Sequence, residues 1–284
     1  MTYHNFLTIK YKNKKISFYI WNYKKFLYLH IVNMTLIKNI LIMPKIFEVG
    51  GCVRDEILGL HSDDIDFTFV LDDLSQSVDE GWESMLSWLE GQGFKIFLKT
   101  KDCFTVRAKF PKGHQHEGLV ADFVMARKEV GVIEGTRRPI LELGTLEDDL
   151  IRRDFTMNAI AKDLDGNLID LFDGMSDIQS KVIRTPLDPL TTLLDDPLRM
   201  IRAIRFSLTK GFQIDAELKS VMFDSRVISK LIEVVSQERI QVEITKMMKF
   251  DTIGSIKVLA DLPQELLDII FKGNMWLMPT TKKK

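Results

Sequence analysis

The stretch EVGGCVRDEILGLHSDDIDFTFV, residues 48–70, sets two glycines, an arginine and a run of acids between apolar segments. Its last part alternates. In an extended strand Asp64, Asp66 and Thr68 share one face, while Ile65, Phe67 and Phe69 share the other. Two carboxylates about 7 Å apart on one face repel unless something neutralises them. A divalent cation does so, and hard carboxylate oxygens suit Mg²⁺. An isolated Asp-x-Asp reads more simply as a strand end with a solvated face, but this one follows GGCVRD. There Gly50 and Gly51 let backbone amides approach an anion at the start of a helix, and Arg54 supplies a fixed positive charge. The stretch reads as a phosphate site beside a metal site.

Outward from it, short strands and helices alternate. IFEV is a brief strand, VRDEILGL a helical turn and DIDFTFVL a strand of period two. DEGWESMLSWLEG is an amphipathic helix stopped by glycine, followed by strand candidates KIFLK, FTVRAKF and GLVADFVMAR. After about residue 184 the β pattern gives way to successive helices. The expected fold class is therefore an α/β head with a mixed sheet followed by an all-α neck. The predicted division is an atypical extension over 1–42, a head domain over 43–183 and a helical neck over 184–284.

Composition bounds the function. The chain has 284 residues, 45% of them hydrophobic and 28% charged, enough for a real core and about two domains. Cys52 and Cys103 form no CxxC and pair with no histidine cluster of zinc-ligand spacing, so a reduced, cytoplasmic setting is the default expectation. His114 and His116, in KGHQHEG, read as a solvated loop. The first 42 residues hold all five tyrosines, seven lysines and no acid. Without them, residues 43–284 carry 32 basic against 40 acidic side chains, a formal −8 instead of −1. The extension is readable as a basic arm, as a membrane anchor over FLYLHIVNMTLIKNILIM, or as a segment outside the working protein, with a natural start at Met43. His30, Asn33, Lys38 and Asn39 interrupt that apolar run and argue against a spanning helix.

The arrangement GG…R…DxD resembles the first motif of the polymerase β-like nucleotidyltransferases, and specifically of the class II tRNA nucleotidyltransferase (CCA-adding enzyme) and bacterial poly(A) polymerase family. RRDFTMNAIAKD at 152–163 resembles the second motif of that family. IDLFDGMSDIQSKVIRT at 169–185 resembles its hinge segment, with Leu171 and Asp173 in place of the usual Pro and Gly. DDPLRMIRAIRF at 195–206 resembles the base-recognition helix, with Asp195 replacing a usual Glu, and SQERIQVEITKMM at 236–248 resembles the final motif.

The resemblance implies a polymerase β-like head and assigns roles. Asp64 and Asp66 would hold catalytic Mg²⁺, and Gly51, Arg54 and Arg153 would contact the triphosphate. Asp122 is either a third carboxylate or a solvated group on an edge strand. On the helix read from Asp196, Met200, Ile201, Ile204 and Leu208 form an apolar stripe opposite Arg199 and Arg202. Asp196 and Arg199 are either a local ion pair or, as the resemblance implies, readers of the base. An acceptor beside a donor matches cytosine and adenine and rejects uracil and guanine. Arg202 and Arg205 would anchor phosphates or the helix itself.

The implied activity is template-independent addition of C and A to the 3′ end of tRNA from CTP and ATP. The alternatives are a poly(A) polymerase, a C-only or A-only enzyme, and, remotely, an inactive nucleotide- or RNA-binding module. Chains of the family generally continue into further helical domains that grip the tRNA, so an end at residue 284 predicts weak RNA affinity. Local clusters such as Lys109, Lys112, Arg137, Arg138, Lys282, Lys283 and Lys284 would meet the RNA.

Overall fold

The computed structural model describes residues 6–11, 14–19, 44–132 and 139–272 and divides into two compact units, Met1–Pro44 and Lys45–Lys284. In the first unit, strands β1 (Phe6–Tyr11) and β2 (Lys14–Tyr19) pair antiparallel with Phe6 opposite Tyr19, a hairpin the sequence reading did not assign. The apolar run over 26–43, Met43 included, lies outside the described residues, as do Arg137, Arg138 and Lys282 to Lys284.

The second unit opens with β3 (Lys45–Val49), helix α1 (Gly51–Ile57) and β4 (Ile65–Val70). Helix α2 (Val78–Gly91) starts at a capping box in which the Ser77 hydroxyl accepts from the Glu80 amide while Glu80 reaches back to the Ser77 amide. Then come β5 (Lys95–Thr100), β6 (Thr105–Lys109), β7 (Val120–Met125), the antiparallel pair β8 (Arg127–Val132) and β9 (Pro139–Leu143), and α3 (Leu146–Leu150). Strands β10 (Ile160–Asp163) and β11 (Leu168–Asp170) complete a seven-stranded sheet of order β11-β10-β3-β4-β7-β6-β5. Only β4 and β7 run parallel within it, so the sheet is mixed, as expected.

One face of the sheet is apolar. Phe67 stacks on Phe123 with ring centroids 4.8 Å apart, and Phe69 meets Trp88 of α2 edge-on at 6.0 Å. Each aromatic pair adds about 0.5–1.5 kcal/mol beyond area burial. The period-two pattern of β4 thus turns its phenylalanines into the core and leaves Asp66 on the other face.

Beyond the sheet lie α4 (Gly174–Ser180), β12 (Val182–Ile183), α5 (Pro189–Asp195), α6 (Leu198–Lys210), β13 (Gln213–Ile214), α7 (Ala216–Val221), α8 (Ser225–Val234), α9 (Gln237–Phe250), α10 (Thr252–Ala260) and α11 (Gln264–Ile270). The helical expectation past residue 184 holds except at β13, which pairs parallel with β12. The larger of two buried clusters runs from Ile46 to Ile270 through Phe155, Met200 and Ile244, so sheet and helices share it, while Phe47, Val49, Leu150, Ala159 and Ala161 form a smaller one. Among the described residues no helix is long and apolar enough to cross a membrane.

Candidate active site

Chain geometry at Gly50 explains the first motif. Its backbone sits at φ 81°, ψ −134°, where a side chain is strained, and an added Cβ would lie 2.7 Å from Arg153 Nη1. Glycine therefore lets β3 turn into α1 while the Arg153 guanidinium packs directly on the turn. Arg153 also donates to Asp149 Oδ2 at 2.9 Å, and its buried Nε has no hydrogen-bond partner. Thr68, fully buried in β4, donates to the same Asp149 oxygen at 2.7 Å and ties β4 to α3.

Asp64 precedes β4 and is exposed, whereas Asp66 is half-buried within the strand. Burial pushes the Asp66 carboxyl above its ordinary range; Arg153 pulls it back, and Asp122 and Asp64 add to the rise. Register places Asp66 opposite Asp122 of β7, and Asp122 opposite Arg107 of β6. Arg107 grips Asp122 in a bidentate pair, Nε and Nη2 each 2.6 Å from a carboxylate oxygen. So Asp122 is not on an edge strand, since β7 lies between β4 and β6; it lines a cleft with Asp64 and Asp66 while paired with Arg107.

Two clefts meet at the carboxylates. One, of about 330 Å³, is lined by Gly50, Gly51, Arg54, Arg153, Arg202 and Arg205 together with Asp64 and Asp66. The other lies on the far side, lined by Asp63, Asp64, Asp66, Phe97, Arg107 and Asp122. Among the described residues no three His, Cys, Asp or Glu side chains converge as a ready metal cluster. The donor set nevertheless fits a hard divalent cation shared with a phosphate ligand. Asp64 and Asp66 offer oxygens only, and a bound cation would offset the burial that, ahead of the neighbouring carboxylates, raises the Asp66 carboxyl.

The arginines of the first cleft are held by acids that the sequence reading did not single out. Asp154, buried, accepts from Arg202 Nε at 2.8 Å and Nη2 at 2.6 Å, and from Asn158 Nδ2 and the Phe155 amide at 2.8 Å each. Burial alone would raise the Asp154 carboxyl, but Arg202, Asn158 and the Phe155 amide outweigh it and hold the group below its ordinary value. Arg54 in turn donates to Asn158 Oδ1 and pairs with Asp55, 2.8 Å away. Arg205 pairs with buried Glu243 of α9. Arg54, Arg202 and Arg205 surround the Phe206 ring at 5.0, 5.5 and 3.9 Å. Arg202 and Arg205 thus fasten α6 to the head and to α9, and Arg205 is buried with the apolar stripe rather than outside it. Asp154 and Asn158 stand at i and i+4 within RRDFTMN, a spacing that could have flagged them.

Asp196 and Arg199 differ from expectation. Helix α6 begins at Leu198, because Pro197 biases Asp196 to extended backbone at φ −137°, ψ 100°. Asp196 accepts from Arg239 Nη2 at 2.8 Å, and Arg199 donates to the carbonyls of Thr192 and Arg152. The local ion pair between them is not formed, and neither residue lines the carboxylate clefts.

Residues 46–184 match the family model for the poly A polymerase head domain. The chain is 33% identical over 222 residues to the nucleotidyltransferase lcsQ of Purpureocillium lilacinum, covering 70% of this chain and 35% of that protein. It is 34% identical over 210 residues to the tRNA nucleotidyltransferase cca2 of Schizosaccharomyces pombe, covering 70% and 42%. Among solved structures, a tRNA nucleotidyltransferase complexed with a primer tRNA and an incoming ATP analog superposes with TM-score 0.60 at 27% identity, over 85% of this chain and 63% of that one. The Bacillus stearothermophilus CCA-adding enzyme in complex with CTP superposes with TM-score 0.61 at 26% identity, over 84% and 53%. The chain spans less than half the length of these two curated relatives.

Proposed function

From residues 46–184, which belong to the poly A polymerase head-domain family, we propose that the chain transfers nucleotides from CTP and ATP to the 3′ end of tRNA, building CCA. The observation that carries the reading is the pair Asp64 and Asp66 on the shared wall of two clefts, one of them ringed by arginines. The acceptor 3′-hydroxyl oxygen bonds to the α-phosphorus of the nucleotide, and the bond to pyrophosphate breaks.

Each residue group has a part in this. Asp64 and Asp66 are the oxygen donors for Mg²⁺, which when bound lowers the pKa of the attacking hydroxyl and offsets the leaving group's charge. Arg153, packed against Gly50, lines the same cleft as Arg54 and Gly51, and these are the groups that would meet the triphosphate. Arg202 and Arg205 act through position, holding α6 beside that cleft. Asp196 and Arg199, held by Arg239 and by backbone carbonyls beside the neck, are the pair that the family resemblance implies for reading the base, an acceptor beside a donor. The similarity to a tRNA nucleotidyltransferase and to structures complexed with primer tRNA, an ATP analog and CTP supports the substrate class.

The test is to sequence the 3′ ends of a tRNA lacking CCA after incubation with CTP, ATP and Mg²⁺. CCA ends are expected, and Asp64→Asn or Asp66→Asn should abolish them by losing metal ligands without losing core packing. Ends extended by A alone would move the assignment to poly(A) synthesis, and no extension would refute it.

A further inference from the structure

The cleft on the far side of the carboxylates is built for more than solvent. Across the open face of the sheet the register aligns Asp66, Asp122, Arg107 and Leu98 in one row from β4 to the edge strand β5. Just there β5 breaks step. Ile96 lies opposite Ala108 and Leu98 opposite Arg107, so Phe97 is an extra residue without a partner, a β-bulge. Bulges at sheet edges re-aim a side chain, and here Phe97 lines the carboxylate cleft with the residue 55% exposed. A phenylalanine half exposed in a cleft offers a flat apolar face on which a base can stack.

Arg107 lies in the same cleft, its guanidinium braced edge-on by Asp122 and its side chain still 46% exposed. Two steps further out on the same face, Lys109 stands opposite Lys95, both exposed. Starting at Asp64 and Asp66 and moving away from the arginine-ringed cleft, the surface therefore offers an aromatic ring, a held guanidinium and a pair of lysines. Flat apolar faces alternating with cations are the pattern of single-stranded nucleic acid binding.

We propose that this cleft takes the single-stranded 3′ end of the acceptor RNA, with Phe97 stacking on its terminal base and Arg107 on the adjoining phosphate. The inference rests on the proposed nucleotidyl transfer and adds the acceptor side to it. It accounts for the two clefts sharing their carboxylates: nucleotide on one side, attacking hydroxyl on the other. Stacking is indifferent to base identity, so one platform serves a growing end whose last base changes at each step. Phe97 is a positioning residue, and Asp122 is one through Arg107.

The test separates acceptor binding from chemistry. A short single-stranded RNA carrying 2-aminopurine as its 3′-terminal base is titrated with the full chain in EDTA, so that no turnover is needed. Quenching of the fluorophore on binding is expected, and Phe97→Ala should abolish the quench and weaken binding about fivefold or more. Phe97→Trp should restore both. An oligonucleotide with an abasic 3′ end should bind wild type and Phe97→Ala alike. Arg107→Ala should weaken binding and flatten its salt dependence while keeping the quench. Equal quenching by wild type and Phe97→Ala would overturn the proposal even if CCA addition is observed. Loss of quenching in the variant would support it even if the nucleotide specificity proved to be different.

Discussion

At Asp173 a non-glycine residue sits in left-handed backbone, φ 59° and ψ 26°, with no side-chain hydrogen bond to the helix it precedes. The family resemblance places glycine there, and the geometry gives the reason: the chain must reverse tightly into α4. An added Cβ at the next residue, Gly174, would lie 2.3 Å from the Thr156 carbonyl oxygen. Asp170 anchors the same turn, accepting from the amides of Gly174 at 2.9 Å and Met175 at 2.8 Å. A left-handed L-residue costs about 1–2 kcal/mol, less for Asp, and glycine adds unfolded-state entropy. Asp173→Gly should therefore raise stability by up to about 1 kcal/mol, read from the urea midpoint. A lower midpoint would mean that the Asp173 side chain has a compensating role. The departure itself was visible in the sequence, because it sits inside a motif. Its backbone cause was not, since only coordinates give φ.

Helix α6 shows what the chain's linear order hides. Its apolar stripe was legible from periodicity, and Met200, Ile201 and Ile204 are buried as read. Its charged positions were not, because their partners are far away in sequence: Arg202 finds Asp154 and Arg205 finds Glu243 only after folding. Arg202 is partly exposed and keeps Glu243 as a second partner, so Asp154→Asn, which loses charge-assisted hydrogen bonds, should destabilise by about 1.5–3 kcal/mol at pH 7. The carboxyl of Asp154 is held below its unfolded value, so its contribution is present above about pH 3.9. It is lost as pH falls through the lower folded value. The gap between wild type and Asp154→Asn in denaturant midpoint should therefore be constant near neutrality and close only in acid. A gap unchanged down to pH 2 would remove the ion pair as its cause. Local spacing likewise showed that Asp66 would stand on the face of β4 away from Phe67 and Phe69, but not that Asp122 would lie beside it or that Arg153 would pack on Gly50. It failed for the local ion pair of Asp196 with Arg199, where Pro197 moved the helix start and Arg239 supplied the partner.

For the molecule as a whole, the division into an extension, a head over 43–183 and a neck over 184–284 becomes a proposal with physical content. Head and neck are continuous in their packing: Phe155 of the second motif meets Phe206 of α6 at 5.9 Å, and the larger buried cluster takes residues from both. Cutting at 183 would expose Phe155 and Met157 and leave Asp154 without Arg202. Each fully exposed large apolar side chain forfeits about 1.5–3 kcal/mol, against a typical total stability of about 5–15 kcal/mol. The compact unit Lys45–Lys284, by contrast, holds the whole sheet, both clefts and the clamp on α6. A fragment of residues 43–284 should therefore unfold in one cooperative urea transition and keep the activity of the full chain. Residues 43–183 alone should show no such transition and should bind an apolar dye. Cooperative folding of the shorter fragment would make the head a domain in its own right. Lost activity in the longer one would give residues 1–42 a working role, which their lysine-rich, acid-free composition would then have to explain.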